Sequence, residues 1–189
     1  MKLISLNTGH AAPMEIEGRN VLTGIRKAPR PGAVAVSSLG LEGDEQADPS
    51  VHGGLSKAVY AYPSEHYEFW QTVRAQAQAA AWGQVLPPGS LGENLTLGGL
   101  LEKDAFVGDT LRFAGGVELL VSEPRFPCFK FNAVMGFNKA AKLMAQSRWC
   151  GFYLAVKTPG TLAAGEAFEL LPGPRELSIP ELFGARMKG

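Results

Sequence analysis

Short apolar runs, separated by glycine and proline, recur along the whole chain. Many short runs punctuated by turn residues are typical of strands in a sheet that folds back on itself. We therefore predict a mainly β protein with a few helices, of the α+β class, arranged as a barrel or folded sheet. The runs occupy residues 3–6, 33–36, 58–62, 105–113, 117–121, 152–156 and 167–171.

Two segments have helical spacing instead. In the first, Tyr67, Trp70 and Val73 share one face, and the chain continues into the alanine-rich residues 75–81. The second segment begins near Asn138. For both helices the apolar face indicates ordinary core packing.

The length and composition predict one domain with a short appendage. A chain of 189 residues that is 46% hydrophobic can bury a core of its own. We assign the domain to residues 1–175, and we expect the partly charged tail at 176–189 to pack loosely against it.

The charge balance limits the partners that we expect. Lysine and arginine number 18 and so do aspartate and glutamate, so no overall field favours nucleic acid or an anionic membrane. The first residues are too polar for a signal peptide, and no later run approaches a membrane span. We expect a cytoplasmic protein whose two cysteines, Cys128 and Cys150, are reduced thiols.

Cys128 is the stronger candidate for chemistry. It follows a proline, and Arg125 and Lys130 are close in sequence. Nearby positive charge favours the thiolate, which is the form that attacks electrophiles or binds metal. The alternative is a small buried side chain between phenylalanines. Cys150 is predicted to be structural.

A polar, glycine-rich stretch at 40–67 is the second candidate. It contains Asp44, His52 and Lys57, and little apolar periodicity explains it. Chain of this kind runs over the surface or lines a cleft, and such loops often carry function. A turn-rich connector is the other interpretation.

Two further segments contain possible ligand-binding groups. Arg26 and Lys27 lie in a basic loop that could bind an anion or be a solvated surface loop. Glu93 and Asn94 follow Gly92 and offer an acceptor and an amide, although a capped turn would use the same residues. The sequence contains no zinc spacing, P-loop or dinucleotide fingerprint.

The order of these segments resembles the MOSC domain family, named for the C-terminal part of molybdenum-cofactor sulfurases, and in particular its stand-alone bacterial branch. The resemblance extends from residue 5 to about residue 171. It rests on residues 23–29, 40–48, 51–63, 65–67, 92–96, 108–109, 127–128 and 151–153.

The resemblance implies a β-barrel-like fold and a molybdenum cofactor (Mo-molybdopterin) in which Cys128 is the thiolate ligand to molybdenum. Pyridoxal phosphate is not expected. The site residues that it implies are Arg26, Lys27 and Arg125 on the pterin phosphate, Glu93 and Asn94 near the cofactor, and Asp44, His52 and Lys57 at the mouth, with Lys57 also counted as cofactor-binding.

The same resemblance implies reduction of small N-hydroxylated compounds, including hydroxylaminopurine-type base analogues, with electrons from a separate flavin-containing reductase. His52 or Asp44 would protonate the leaving group. Two features depart from the family: the C-terminal extension is shorter, and Arg30 and Phe129 replace other residues.

Two alternatives stay open. One is a non-catalytic carrier that delivers the molybdenum cofactor, with Cys128 as its anchor. The other is metal-free thiol chemistry, in which Cys128 is a persulfide carrier or nucleophile and His52 is the base.

Overall fold

A computed structural model describes residues 1–47 and 53–187, and most of these residues build β-structure. In chain order the strands are β1 (Lys2–Thr8), β2 (Ala12–Ile16), β3 (Arg19–Thr23), β4 (Ala28–Pro29), β5 (Ala33–Ser37), β6 (Gly40–Leu41), β7 (Val59–Pro63), β8 (Leu95–Gly98), β9 (Thr110–Phe113), β10 (Glu118–Pro124), β11 (Phe152–Thr158), β12 (Gly160–Ala163) and β13 (Phe168–Leu171).

An eight-stranded sheet forms the centre of the fold, in the order β13-β9-β10-β11-β7-β8-β1-β4. Its pairs are antiparallel except for β7 and β8, which run parallel. A three-stranded sheet, β12-β5-β6, and the hairpin β2-β3 complete the β-structure. Glu17 and Gly18 both have positive φ at the hairpin turn, a geometry that matches the twist of the flanking strands.

In the described part of the chain there are four α-helices, α1 (Tyr67–Gln76), α2 (Phe129–Met135), α3 (Ala140–Ser147) and α4 (Ile179–Met187). Short 3₁₀ helices occupy Leu55–Lys57, Ser64–His66 and Glu102–Asp104. Within the described ranges, none of the helices is long and apolar enough to cross a membrane.

The main core lies between the central sheet and the helices. Trp70 of α1 is fully buried and meets Phe131 of α2 edge-on, with ring centroids 5.3 Å apart. Its indole N–H donates to the Tyr62 hydroxyl at 2.6 Å, which satisfies the polar end of a buried aromatic side chain. This packing holds α2 against the sheet. Cys128, the residue directly before α2, is held there with it.

The prediction of a mainly β protein with a few helices is confirmed. Six of the predicted runs overlap a strand over most of their length, whereas only the end of the run at 105–113 is a strand, β9. β13 and β4 are the two ends of the eight-stranded order, and closure into a barrel stays a prediction.

The helix predictions need correction at their ends. Helix α1 has the predicted buried face, but it ends at Gln76, because Gln78 adopts positive φ (59°) and turns the chain away. The alanine-rich residues that follow are therefore not helical. Helices α2 and α4 were not predicted from the sequence, and the second predicted helix, α3, begins two residues later than expected.

The tail does not pack loosely, so that expectation was wrong. Ile179 and Phe183 of α4 are buried in the main core. Phe183 stacks on Phe126 with ring centroids 5.2 Å apart and ring planes 7° from parallel. The domain boundary at residue 175 stays a prediction.

Burial of Phe183 predicts that α4 contributes to stability. Phe183→Ala should lower the free energy of unfolding by about 3–4 kcal/mol, because it removes a fully buried ring and leaves a cavity. Urea unfolding followed by circular dichroism measures this change. The control is Met187→Ala, at an exposed position of the same helix. A loss below about 1 kcal/mol for Phe183→Ala would show that α4 is not part of the core.

Candidate functional site

One pocket collects most of the charged residues singled out from the sequence. It contains about 620 Å³ of empty space, including its mouth, and is open to solvent. Two chain segments, 23–27 and 44–47, form one wall. They pack closely, since a Cβ on Gly24 would lie 2.2 Å from the Glu45 carbonyl oxygen. The other walls come from strands β7 and β11 and from the residues around Cys128.

Cys128 lies in this pocket, directly before α2. Its side chain is half-buried, and its carbonyl oxygen accepts a hydrogen bond from the Phe131 N–H at 3.0 Å. The prolines and β10 before it and the buried helix after it fix its position. Cys150, by contrast, is fully buried and does not line the pocket, in agreement with the structural role predicted for it.

Arg125 supplies positive charge beside Cys128. Its guanidinium is buried, donates to the Leu91 carbonyl oxygen at 2.6 Å, and lies 4.9 Å from the Tyr60 ring centroid and 5.1 Å from that of Phe131. An arginine keeps its charge even when it is buried. A thiolate at Cys128 therefore interacts favourably with this guanidinium.

Lys27 and Asp44 form a buried ion pair in the wall made by residues 23–27 and 44–47. Asp44 Oδ1 accepts from Lys27 Nζ and from the Gly9 N–H at 3.0 Å, and Oδ2 accepts from Asn94 Nδ2 at 2.8 Å. Burial lowers the pKa of the Lys27 ammonium, and the attraction of Asp44 opposes that shift only in part. Asp44 thus holds Lys27 and fixes the loop at residue 9.

Two more lysines line the pocket. Lys57 Nζ lies 3.8 Å from Glu123 Oε2 and 5.8 Å from the Tyr153 ring centroid. Lys130 Nζ donates to the Leu22 carbonyl oxygen at 3.3 Å. Four cationic side chains thus meet two lining carboxylates, Asp44 and Glu45, so the described part of the pocket favours an anionic ligand.

Glu93 lies behind the pocket and not in its lining. Its fully buried carboxylate accepts hydrogen bonds from the Tyr67 hydroxyl, the Thr96 hydroxyl (2.8 Å) and the backbone N–H groups of Gly89 (2.8 Å) and Leu91 (3.1 Å). Burial raises the pKa of Glu93, and these hydrogen bonds oppose the rise. Because Leu91 also accepts from Arg125, Glu93 supports the position of that guanidinium.

The structure brings together Cys128, Lys27, Asp44, Lys57, Asn94 and Arg125, all of which line the pocket. Arg26 is exposed and lies outside the lining, although its neighbours Ile25 and Lys27 belong to it. His52 lies outside the described residues. The functional roles given to all of these residues stay predictions.

Tyr60 and Tyr153 were not identified as site residues from the sequence, although both line the pocket. Each lies in an apolar strand, where a tyrosine is expected in the core. Burial raises the pKa of both hydroxyls, so both are neutral donors at pH 7. The signal in the sequence was the tyrosine hydroxyl in an otherwise apolar run, but strand register was needed to place it.

Comparison with known proteins gives the family. The model of the MOSC domain matches residues 48–169. The uncharacterized protein YflK of Bacillus subtilis (strain 168) is 36% identical over 178 residues, which are 94% of this chain and 76% of YflK. A protein named reductase, from Gibberella moniliformis, is 32% identical over 157 residues, which are 83% of this chain and 27% of the reductase.

A solved structure has the same fold. The crystal structure of YiiM from Geobacillus stearothermophilus superimposes with a TM-score of 0.76 at 32% identity, covering 98% of this chain and 83% of that one. Since the family model matches well over half of the chain and includes Cys128, the chain belongs to the MOSC domain family, among whose members it is similar to YiiM.

Proposed function

We propose that the pocket binds a molybdopterin-type molybdenum cofactor and that the protein reduces small N-hydroxylated compounds. The observation that carries the proposal is the position of Cys128 in an open pocket with Lys27, Lys57, Arg125 and Lys130. A soft thiolate suits a metal of this kind, and the cations suit the phosphate that the pterin carries.

The described residues fit such a cofactor through their donor chemistry. Within 1–47 and 53–187, no cluster of three or more histidine, cysteine or acidic side chains could hold a metal ion by itself. The single thiolate of the pocket suits a cofactor that brings its own sulfur ligands and needs one more from the protein. Cys128 would supply that thiolate, while Arg125 and Lys57 would hold the anionic end.

Reduction of an N–OH group to N–H consumes two electrons and two protons, breaks the N–O bond and releases water. A bound molybdenum cofactor would supply the two electrons, the chain would deliver one proton to the leaving oxygen, and water in the open pocket would supply the other. Asp44 accepts three hydrogen bonds, from Lys27 Nζ, the Gly9 N–H and Asn94 Nδ2, so its oxygens are already used to hold these groups. Lys27 Nζ, whose pKa is lowered by burial, is the better proton donor among the described residues.

The electron donor in this proposal is a separate flavin-containing reductase. The similarity to a protein named reductase supports an oxidoreductase role. The matched part is only 27% of that protein, so its whole activity is not transferred to this chain. The substrate class follows from the family resemblance and from a pocket that is open to small molecules.

The thiolate role predicts a specific loss of metal. Cys128→Ala, purified from a host that makes molybdopterin, should contain at least about ten-fold less molybdenum than the wild type, because the protein's bond to the metal is gone. The measurement is elemental analysis together with fluorescence of the oxidised pterin. The control is Cys150→Ala, which removes the other thiol and should retain molybdenum.

The same preparations separate the alternatives. Molybdenum and pterin in the wild type, without turnover of any N-hydroxylated compound, would favour a cofactor carrier. Absence of both from the wild type would contradict the cofactor proposal and favour metal-free thiol chemistry at Cys128.

The Lys27–Asp44 pair predicts a pH effect. If protonated Lys27 is required, activity falls as the pH rises through its pKa. Asp44→Asn removes the negative charge that holds this pKa up, so the fall in kcat/KM should shift to lower pH, by about one unit or more. The control is Glu45→Gln, a lining carboxylate that contacts His10 and the Ala11 N–H and not Lys27. An unchanged alkaline limb in Asp44→Asn would exclude Lys27 as the acid.

A further inference from the structure

Glu123 lies between two cations, one in the pocket and one on the C-terminal helix. Its Oε2 atom is 3.8 Å from Lys57 Nζ and 3.2 Å from Arg186 Nη1. The Glu123 side chain is 16% exposed, that of Lys57 24% and that of Arg186 53%. We call these three side chains the Glu123 triad. Only Lys57 lines the pocket.

Helix α4 holds Arg186 in place through aromatic contacts. The stacking of Phe183 on Phe126 attaches α4 to the segment between Glu123 and Cys128. The Arg186 guanidinium carbon lies 5.9 Å from the Phe126 ring centroid, so it approaches the same ring. Arg186 also lies beyond residues 48–169, the part of the chain that the family model matches.

The charges of the triad contribute to the field that Lys57 presents to a ligand. Lys57 and Glu123 alone would carry no net charge. The electrostatic field of such a pair decreases steeply with distance, because the two opposite charges largely cancel. With Arg186 on the same carboxylate oxygen, the three side chains carry one excess positive charge. Such a half-exposed ion pair adds little to stability, but its charge still acts over a few ångströms at moderate salt.

We propose that Arg186 is a positioning residue of the site: by sharing Glu123, it keeps the positive charge of Lys57 available to an anionic ligand in the pocket. This inference depends on one part of the proposed function, namely that the pocket binds an anionic ligand. It adds α4 to the site, although α4 contributes no side chain to the lining described above.

The test compares two reagents on the Cys128 thiol. Iodoacetate is anionic and iodoacetamide is neutral, and both alkylate the thiolate. The ratio of their rate constants therefore reports the electrostatic potential at the pocket, because a change in thiolate fraction or access affects both reagents together. The protein is the full chain from a host that cannot make molybdopterin. Cys128→Ser gives the background, and Cys150 is buried.

The proposal predicts opposite changes from two substitutions that break the same ion pair. Glu123→Gln should raise the iodoacetate-to-iodoacetamide ratio about two- to four-fold at low ionic strength, because it removes a negative charge beside Lys57. Arg186→Gln should lower the ratio about two-fold, because no arginine then offsets the negative charge of Glu123 beside Lys57. Both changes should shrink with added salt.

A remote ion pair provides the control. Arg112 and Glu169 lie 3.5 Å apart on strands β9 and β13, and neither lines the pocket. Glu169→Gln and Arg112→Gln carry the same charge changes and should leave the ratio unchanged.

A purely structural role for α4 gives a different result. It predicts that Glu123→Gln and Arg186→Gln change both alkylation rates in parallel, or move the ratio in the same direction. Either outcome would overturn the proposal, as would equal effects from the remote pair. Because the assay contains no molybdenum, a negative result here is distinct from a failure of the cofactor proposal.

Discussion

The hydrogen bonds of Asn94 join the sheet to the pocket. Its side-chain oxygen accepts from the Tyr60 N–H at 3.0 Å, and its side-chain nitrogen donates to the Asn7 carbonyl at 3.2 Å and to Asp44 at 2.8 Å. One buried amide thus links β7, β1 and the loop that contains Asp44, the ion-pair partner of Lys27. A buried amide must have its donors and acceptor satisfied, and these partners do so while they align the site.

Charge burial in the pocket depends on this framework. Lys27 and Arg125 are both buried, which costs free energy unless partners compensate. Asp44 compensates Lys27, while the Leu91 carbonyl and two aromatic rings compensate Arg125. Glu93 holds Leu91 from behind. The cations are therefore kept in place around Cys128, where an anionic ligand can use charge that is already oriented.

Sequence patterns predicted the β-rich class, the face of α1 and most of the residues that meet in the pocket. Sequence patterns could not show that Arg26 lies outside the pocket lining while Lys27 lies inside it. Both are basic residues of one loop, and only the folded backbone determines which of the two side chains faces the pocket. Glu93 lies behind the pocket lining, and its expected position near the cofactor stays a prediction. Tyr60, Tyr153 and Arg186 depend on strand register and on the docking of α4, which local sequence does not encode.

The central claim is that the Cys128 thiolate is a ligand to molybdenum. X-ray absorption at the molybdenum edge, on the loaded wild type and on Cys128→Ser loaded as far as it will go, tests it most directly. If Cys128 binds molybdenum, a sulfur scatterer of the wild-type metal shell should be missing in the variant. An identical sulfur shell in both proteins would contradict a Cys128–molybdenum bond.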